Sequence, residues 1–333
     1  MTSLQSAAVL RPEPRPIGAD DLAPGTFWRG VCEYPEGTPA QMAIEVGRAA
    51  LVAAEAGAER VQWVVHAGVG PQGSQGWPVH HHIQNGIVGR HGNALEVKQN
   101  CAGGLTSWLV GSRLIDGDGV SICTGADNWS WADRLNVVRA SGGEPFSDAA
   151  YAVTVGPGGG FAKVLGAASA SDPGQADDWR IGEAFWETTT TAATFGRAYG
   201  SATEARSEES DRESFRMFVA AVRGALVEAR LSPRYVTHFV PQASDNGQPF
   251  RLLAKALELP WHDGLHEHNV DHGYFGVSTH VDGLVYLAES GCLKKDSIVL
   301  LLAAEYQLSA TAIVMRVARS PRVSVAGMVR VIS

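Results

Sequence analysis

Between Gln41 and Ala58 the apolar residues Met42, Val46, Ala49, Ala50 and Ala53 recur at the spacing of one helix face, and the chain then enters the apolar run Val61–His66. The same order continues with a helix at Val79–Val88, a strand at Ala94–Gln99, a helix at Ala102–Ile115 and a strand at Val120–Gly125. Helix and strand in alternation predict an α/β chain with a mostly parallel sheet.

Residues 1–30 are rich in Pro and Gly, show no sustained period, and read as an arm or a set of loops. Ala149–Val155, Gly156–Gly160 and Phe161–Ala167 read as strand, glycine turn and strand, a hairpin. Ser207–Arg230 reads as a long helix with Phe215, Phe218, Val219, Val222 and Leu226 on one face, its acidic start suited to the positive end of the helix dipole. Strands at Tyr235–Pro241, Ser297–Ala303 and Ala310–Val317 and helices at Phe250–Leu257 and Gly276–Ser290 complete the chain. The second part repeats the helix and strand order of the first from about residue 170, without a repeat of the residues themselves. We therefore expect two units, 1–170 and 171–333.

The chain has 333 residues, 45% of them apolar, enough to bury a substantial core. Its net charge of −8, with Lys and Arg spread rather than clustered, argues against nucleic acid as a partner. Met1–Pro16 lacks the charged-then-apolar order of an export signal, and no apolar run reaches the ~20 residues that span a bilayer, so a cytoplasmic protein without a membrane partner is expected. Cys32, Cys101, Cys123 and Cys292 are far apart and form no CxxC pair, which suggests neither a disulfide framework nor a cysteine zinc site.

One cysteine stands in a reactive context. In Leu95-Glu96-Val97-Lys98-Gln99-Asn100-Cys101-Ala102-Gly103-Gly104-Leu105 it lies between an apolar strand and a helix whose first turn is made of small residues. Backbone N–H groups at such a helix start favour a thiolate and can stabilise an acyl oxyanion, so a lowered thiol pKa is expected. A buried, inert cysteine is the other reading of this local pattern.

Over about residues 40–318 the chain resembles ketoacyl-ACP synthase III and its acyltransferase relatives. The resemblance rests on the order of several stretches: Ile83-Gln84-Asn85 with Gly89, the Cys101 elbow, and Ile122-Cys123-Thr124-Gly125-Ala126-Asp127. Pro145-Phe146-Ser147-Asp148-Ala149-Ala150-Tyr151-Ala152 and Phe239-Val240-Pro241-Gln242-Ala243-Ser244 follow, then Asn269-Val270-Asp271-His272-Gly273-Tyr274-Phe275-Gly276 and the Glu289–Asp296 segment. It implies a thiolase fold, two similar α/β halves in a five-layered α-β-α-β-α arrangement. It also implies a homodimer, a nucleophilic Cys101, and an acyl group delivered by coenzyme A or a phosphopantetheinyl acyl carrier protein, with no other cofactor.

The chain departs from that family at its helper residues. Condensing members pair the cysteine with a histidine in Pro-His-Gln-Ala-Asn and an asparagine in Gly-Asn-Thr; here Pro241-Gln242-Ala243-Ser244 has no histidine, and Gly273 is followed by Tyr274. Relatives that acylate hydroxyls, amines or thiols carry Gly-His-x-Gly-x-x-Asp; here the stretch is Gly273-Tyr274-Phe275-Gly276-Val277-Ser278-Thr279. Where the family has a glycine-rich turn, this chain has Ala303-Ala304-Glu305-Tyr306-Gln307-Leu308. Acyl transfer from Cys101 to a small nucleophile is the expected reaction, carbon–carbon condensation and a non-catalytic partner subunit being the alternatives. His272, Glu305 and Tyr274 are the candidate helpers, His272 as an imidazole able to take the acceptor's proton and Glu305 as a carboxylate near the cysteine.

The remaining motifs point elsewhere. His262, His266, His268, His272 and His280 crowd one region and His80–His82 form a triplet, yet His262 and His266 straddle Gly264 in what reads as a loop, and no HExxH is present, so no metal is expected. Gly156-Pro157-Gly158-Gly159-Gly160 lacks the Lys-Ser/Thr of a phosphate loop. Nine tryptophans, among them Trp77, Trp129, Trp131 and Trp186, supply packing and candidate walls for an acyl or acceptor pocket.

Overall fold

The computed structural model describes residues 2–18, 27–74, 76–132, 134, 144–179, 207–243, 247–305 and 308–333. Trp186, Ser244, Tyr306 and Gln307 lie outside the described residues. In chain order the elements are β1 (Thr2–Leu10), β2 (Pro14–Pro16), β3 (Gly30–Cys32), α1 (Pro39–Ala53), β4 (Val61–Ala67), α2 (Val79–Val88), β5 (Asn93–Val97), α3 (Gly103–Arg113), β6 (Val120–Asp127), β7 (Ala149–Pro157) and β8 (Ala162–Ser171). There follow α4 (Glu208–Ala229), β9 (His238–Pro241), α5 (Gln248–Ala256), α6 (Asp263–His272), α7 (Thr279–Glu289), β10 (Ile298–Glu305), β11 (Ser309–Val317), β12 (Val323–Ala326) and β13 (Val329–Ile332).

The helix starts are built as their sequences ask. The Thr38 side chain accepts from the Gln41 N–H, and Pro39 takes the first position of α1, where no N–H is needed. Ser207 and Ser210 cap each other reciprocally at the head of α4, with Glu208, Glu209 and Asp211 in its first turn.

The strands run in the order β5-β4-β6-β7-β1-β8-β11-β10-β9. Outward from the seam between β1 and β8 the two sides repeat one pattern. β7 and β6 follow antiparallel and β4 parallel on one side; β11 and β10 follow antiparallel and β9 parallel on the other. The seam itself is short, with Ser3 opposite Lys163 and Leu4 opposite Ala162. β13 occupies the rest of that edge, opposite Ala7–Leu10.

Three sequence expectations change here. Among the described residues only β4 with β5, β4 with β6 and β9 with β10 pair parallel, so the sheet is mostly antiparallel, because strands distant in sequence join at β1, β8 and β11. The N-terminal segment is not an arm throughout: Thr2–Leu10 is a central strand, and its small residues Ser6, Ala7 and Ala8 let helices approach both of its faces. β7 and β8 are not a hairpin, because β1 lies between them and pairs with each. A pairing partner that arrives from 150 residues away cannot be read from a local turn signal. The glycine run does its expected conformational work all the same: Gly158, Gly159 and Gly160 have positive φ, and a Cβ on Gly160 would lie 2.3 Å from the Leu4 carbonyl oxygen.

Side chains alternate between cores along each buried strand. In β10, Val299, Leu301 and Ala303 join a central cluster, while Ile298, Leu300, Leu302 and Ala304 join an outer one with α4 and α5. In β1, Ala7 and Val9 face the central cluster, while Ala8 and Leu10 face the outer cluster under α1 and α2. α3 and α7 fill the middle, touching strands of both halves. The layers are therefore helix, sheet, helix, sheet, helix, and each fully buried Val or Leu contributes about 1.5–3 kcal/mol of transfer free energy to them.

The histidine-rich segment also differs from its reading as a loop. Asp263–His272 is the helix α6, started by the His262 ring accepting from the Leu265 N–H. Among the described residues no group of three or more His, Cys, Asp or Glu side chains could hold a metal ion, and no helix is long and apolar enough to cross a membrane.

Candidate active site

β5 delivers the chain into a single 3-10 turn, Asn100–Ala102, which passes directly into α3. Asn100 makes this elbow by taking a left-handed φ of 42°, a conformation that asparagine tolerates better than most residues. The Gly103 N–H closes the turn on the Gln99 carbonyl at 3.0 Å. Cys101 sits at its centre and is 6% exposed. One residue further, a Cβ on Gly104 would lie 2.5 Å from the Val277 carbonyl oxygen, so glycine is what lets the turn Gly276–Ser278 press against the elbow.

The surroundings of Cys101 are apolar and largely aromatic: Trp129, Phe146, Tyr274 and Ala243 form its buried cluster, with Val69 and Trp131 packed on the outside. Trp129 stacks on Phe146 at a 4.3 Å centroid distance, and Phe146 meets Tyr274 at 5.8 Å. Asp148 holds this wall from behind, accepting from the Trp129 N–H at 2.6 Å and pairing with Arg134. Such packing corrects one expectation. Burial pushes the Cys101 thiol up to about 12 and outweighs the backbone at the helix start, while the Tyr274 hydroxyl in the same cluster pulls the other way. The resting side chain is a thiol.

The other sequence candidates are placed as follows. Tyr274 is buried in the same cluster as Cys101, its backbone clamped by the Pro145 carbonyl and the Ser147 N–H. Glu305 ends β10 beside the elbow, where Oε1 accepts from Asn100 Nδ2 at 2.9 Å and Oε2 from Ser309 Oγ at 3.0 Å. Gln99 Nε2 completes that chain by donating to Ser309 Oγ at 2.8 Å. Tyr274 thus packs in the cluster of Cys101, and Glu305 bonds the residue before it.

His272 keeps other company. Its Nδ1 shares a hydrogen bond with the His268 carbonyl, and its ring lies 4.1 Å from that of His268 and 6.5 Å from Phe275. His268 in turn bonds Asp282 at 2.7 Å, and Arg11 reaches the same carboxylate at 2.6 Å. Burial and the neighbouring His268 hold the His272 imidazole below its ordinary pKa. None of its described contacts is with Cys101. At the place of the family's histidine stretch, Gln242 is a strut whose Oε1 accepts from the Ala304 N–H at 2.8 Å.

Sequence reasoning passed over Asp127, which ends β6 near the elbow and is 1% exposed. Its Oδ1 accepts from the Val69 and Gly70 N–H groups, each at 2.8 Å. Burial drives its carboxyl up to about 7 against those two hydrogen bonds. The signal was present as a lone carboxylate closing the otherwise uncharged strand Val120–Asp127.

No protein-family model matches the chain, and no curated protein sequence matches it. Solved structures do. The ChlB3 acyltransferase superposes with a TM-score of 0.80 at 21% identity, over 96% of this chain and 98% of its own. The 3-oxoacyl-[acyl-carrier-protein] synthase III of Aquifex aeolicus gives 0.73 at 16% identity, over 95% and 100%. A variant of OleA from Xanthomonas campestris with bound lauric acid and lauroyl-CoA gives 0.69 at 13%, over 95% and 98%. The chain has the thiolase fold in common with them.

Proposed function

We propose that this chain is a ketosynthase III-like acyltransferase that holds an acyl group on Cys101 as a thioester and passes it to a small nucleophile. The observation that carries this reading is the Cys101 elbow itself, with the Tyr274 phenol in the same buried cluster and a backbone strut, Gln242, where a condensing enzyme would carry its histidine. In the first step Cys101 Sγ attacks the donor thioester. The new C–S bond forms, the donor's C–S bond breaks, and the thiol proton leaves with the departing thiolate. In the second step an alcohol, amine or thiol attacks the same carbonyl, the bond to Sγ breaks, and the acceptor's proton returns to the sulfur. Tyr274 supplies the hydrogen bond that steadies the thiolate in both steps.

The acyl donor is a coenzyme A or phosphopantetheinyl carrier-protein thioester, and the working unit is a homodimer. The lauroyl-CoA in one structural neighbour and the acyltransferase name of another support the donor class and the reaction. Loss of the histidine and asparagine that polarise a malonyl thioester disfavours condensation.

Intact-protein mass spectrometry after incubation with a panel of acyl thioesters tests the reading. A mass increase is expected in the parent and not in Cys101→Ala, with its loss on adding small alcohols, amines or thiols. Absence of any adduct overturns the nucleophile, and rapid Cys101-dependent release of carbon dioxide from a malonyl thioester replaces transfer by condensation.

A further inference from the structure

Asp127 is a buried carboxylate near the elbow whose two oxygens are treated unequally. Oδ1 takes both N–H groups of the Val69–Gly70 loop, which Gln72 fixes in turn by donating from Nε2 to the Gly70 and Ala126 carbonyls. Oδ2 is buried without a hydrogen-bond partner among the described residues. It faces the turn at Gly276, where a Cβ would come within 2.9 Å of it. A carboxylate so placed has a charge on an oxygen with no completed hydrogen bond among the described residues, in a site walled by Trp131 and Val69.

Among the described residues, the groups that act on it most add no cation. Asp148, at the head of β7, disfavours its ionisation, and Tyr151 in β7 and Cys101 at the elbow both feel its charge. The Val277 N–H lies on the favourable side without completing a hydrogen bond to Oδ2. Glu144 is a further carboxylate acting on Cys101.

We propose that Asp127 is a positioning residue of the Cys101 site: it fixes the Val69 loop against the cysteine's cluster, and when its unmatched Oδ2 carries a charge it holds back the thiol's ionisation. It clamps the loop at Val69, which packs on the Cys101 cluster, and it couples the sulfur to the pH of the medium. The inference deepens the reading of Cys101 as nucleophile, but its test uses no acyl donor, so either can fail without the other.

The test is the pH profile of Cys101 alkylation by iodoacetamide, read by peptide mass spectrometry in a Cys292→Ser background. The parent profile should rise, flatten near pH 7 as Asp127 ionises, and rise again on a lower line. Asp127→Asn keeps an oxygen for the two N–H groups, and its profile should run straight, coinciding with the parent below about pH 6 and exceeding it about tenfold above about pH 8, the effect of one unit in thiol pKa. A purely structural role would shift the rate equally at every pH, and that result overturns the proposal. A straight parent profile overturns it as well, whether or not the variant folds.

Discussion

Asn100 Nδ2 donates to Glu305 Oε1 at 2.9 Å, so the residue before Cys101, in the first half of the molecule, is tied to the last residue of β10 in the second. The bond spans 205 positions of sequence and holds a left-handed φ of 42° in place. Glu305 therefore shapes the elbow from outside the reacting atoms.

Glu305→Ala should loosen the elbow. Hydrogen bonds to a charged group are worth about 1.5–3 kcal/mol, so acyl loading of Cys101 should fall roughly 10- to 100-fold. Glu305→Gln keeps an oxygen for Asn100 and should recover most of that loss. Single-turnover loading measured by quenched-flow mass spectrometry checks both, and equal loading in all three proteins would count against the tie.

Tyr274→Phe removes the hydroxyl that favours the thiolate while leaving the ring to pack on Phe146. Loading should slow by about tenfold or more, with less than ~1 kcal/mol change in stability, since the apolar volume is kept. His272→Ala, whose ring lies on His268, should disturb stability more than loading. Urea unfolding beside the loading assay separates the two effects, and the reverse ranking would return His272 to the site.

Simple alkylation should not single out Cys101. Cys292 is half-buried at the surface, whereas burial raises the thiols of Cys32, Cys101 and Cys123. Iodoacetamide at neutral pH should therefore reach Cys292 first, and Cys101 should follow only slowly. Tryptic mapping over time decides the order; fastest labelling at Cys101 would show that a conformational opening exposes it.

Arg11, His268 and Asp282 form a buried network between β1, α6 and α7. Burial alone would raise the Asp282 carboxyl, but Arg11 and then His268 outweigh it and hold it well below the usual carboxylate range. The depressed folded value means that its stabilisation is complete above about pH 4, the unfolded range, and is lost as the pH falls below that. Asp282→Asn leaves Arg11 with only the more distant Glu289 carboxylate, at 3.6 Å, and should cost about 3 kcal/mol at pH 7. The variant should also lose less further stability than the parent between about pH 4 and pH 2. Denaturant titrations at several pH values measure both, and parallel acid profiles would exclude Asp282 from the acid transition.

The helical faces of α1, α2 and α4 and the apolar runs of β4, β6, β10 and β11 were legible because period and composition act over a few neighbouring residues. So was the position of Cys101, which needs only a strand, a turn and small residues in the next helix. The place of β1 was not legible, because Thr2–Leu10 has neither strong period nor bulk, and becomes a strand only when β7, β8 and β13 supply its edges. The same holds for the chemistry at the elbow. The helix start argued for an easily ionised thiol, but the aromatic wall brought from Trp129, Phe146 and Tyr274 removes water, and desolvation outweighs the helix end. Glu305 at Asn100, Asp127 under Gly276 and His272 on His268 are likewise partners that meet only across the fold. The sequence by itself determined most helices and strands and the strand-to-helix placing of Cys101; burial and long-range pairing, which exist only once the layers close, decided the protonation of that cysteine and the side chains around it.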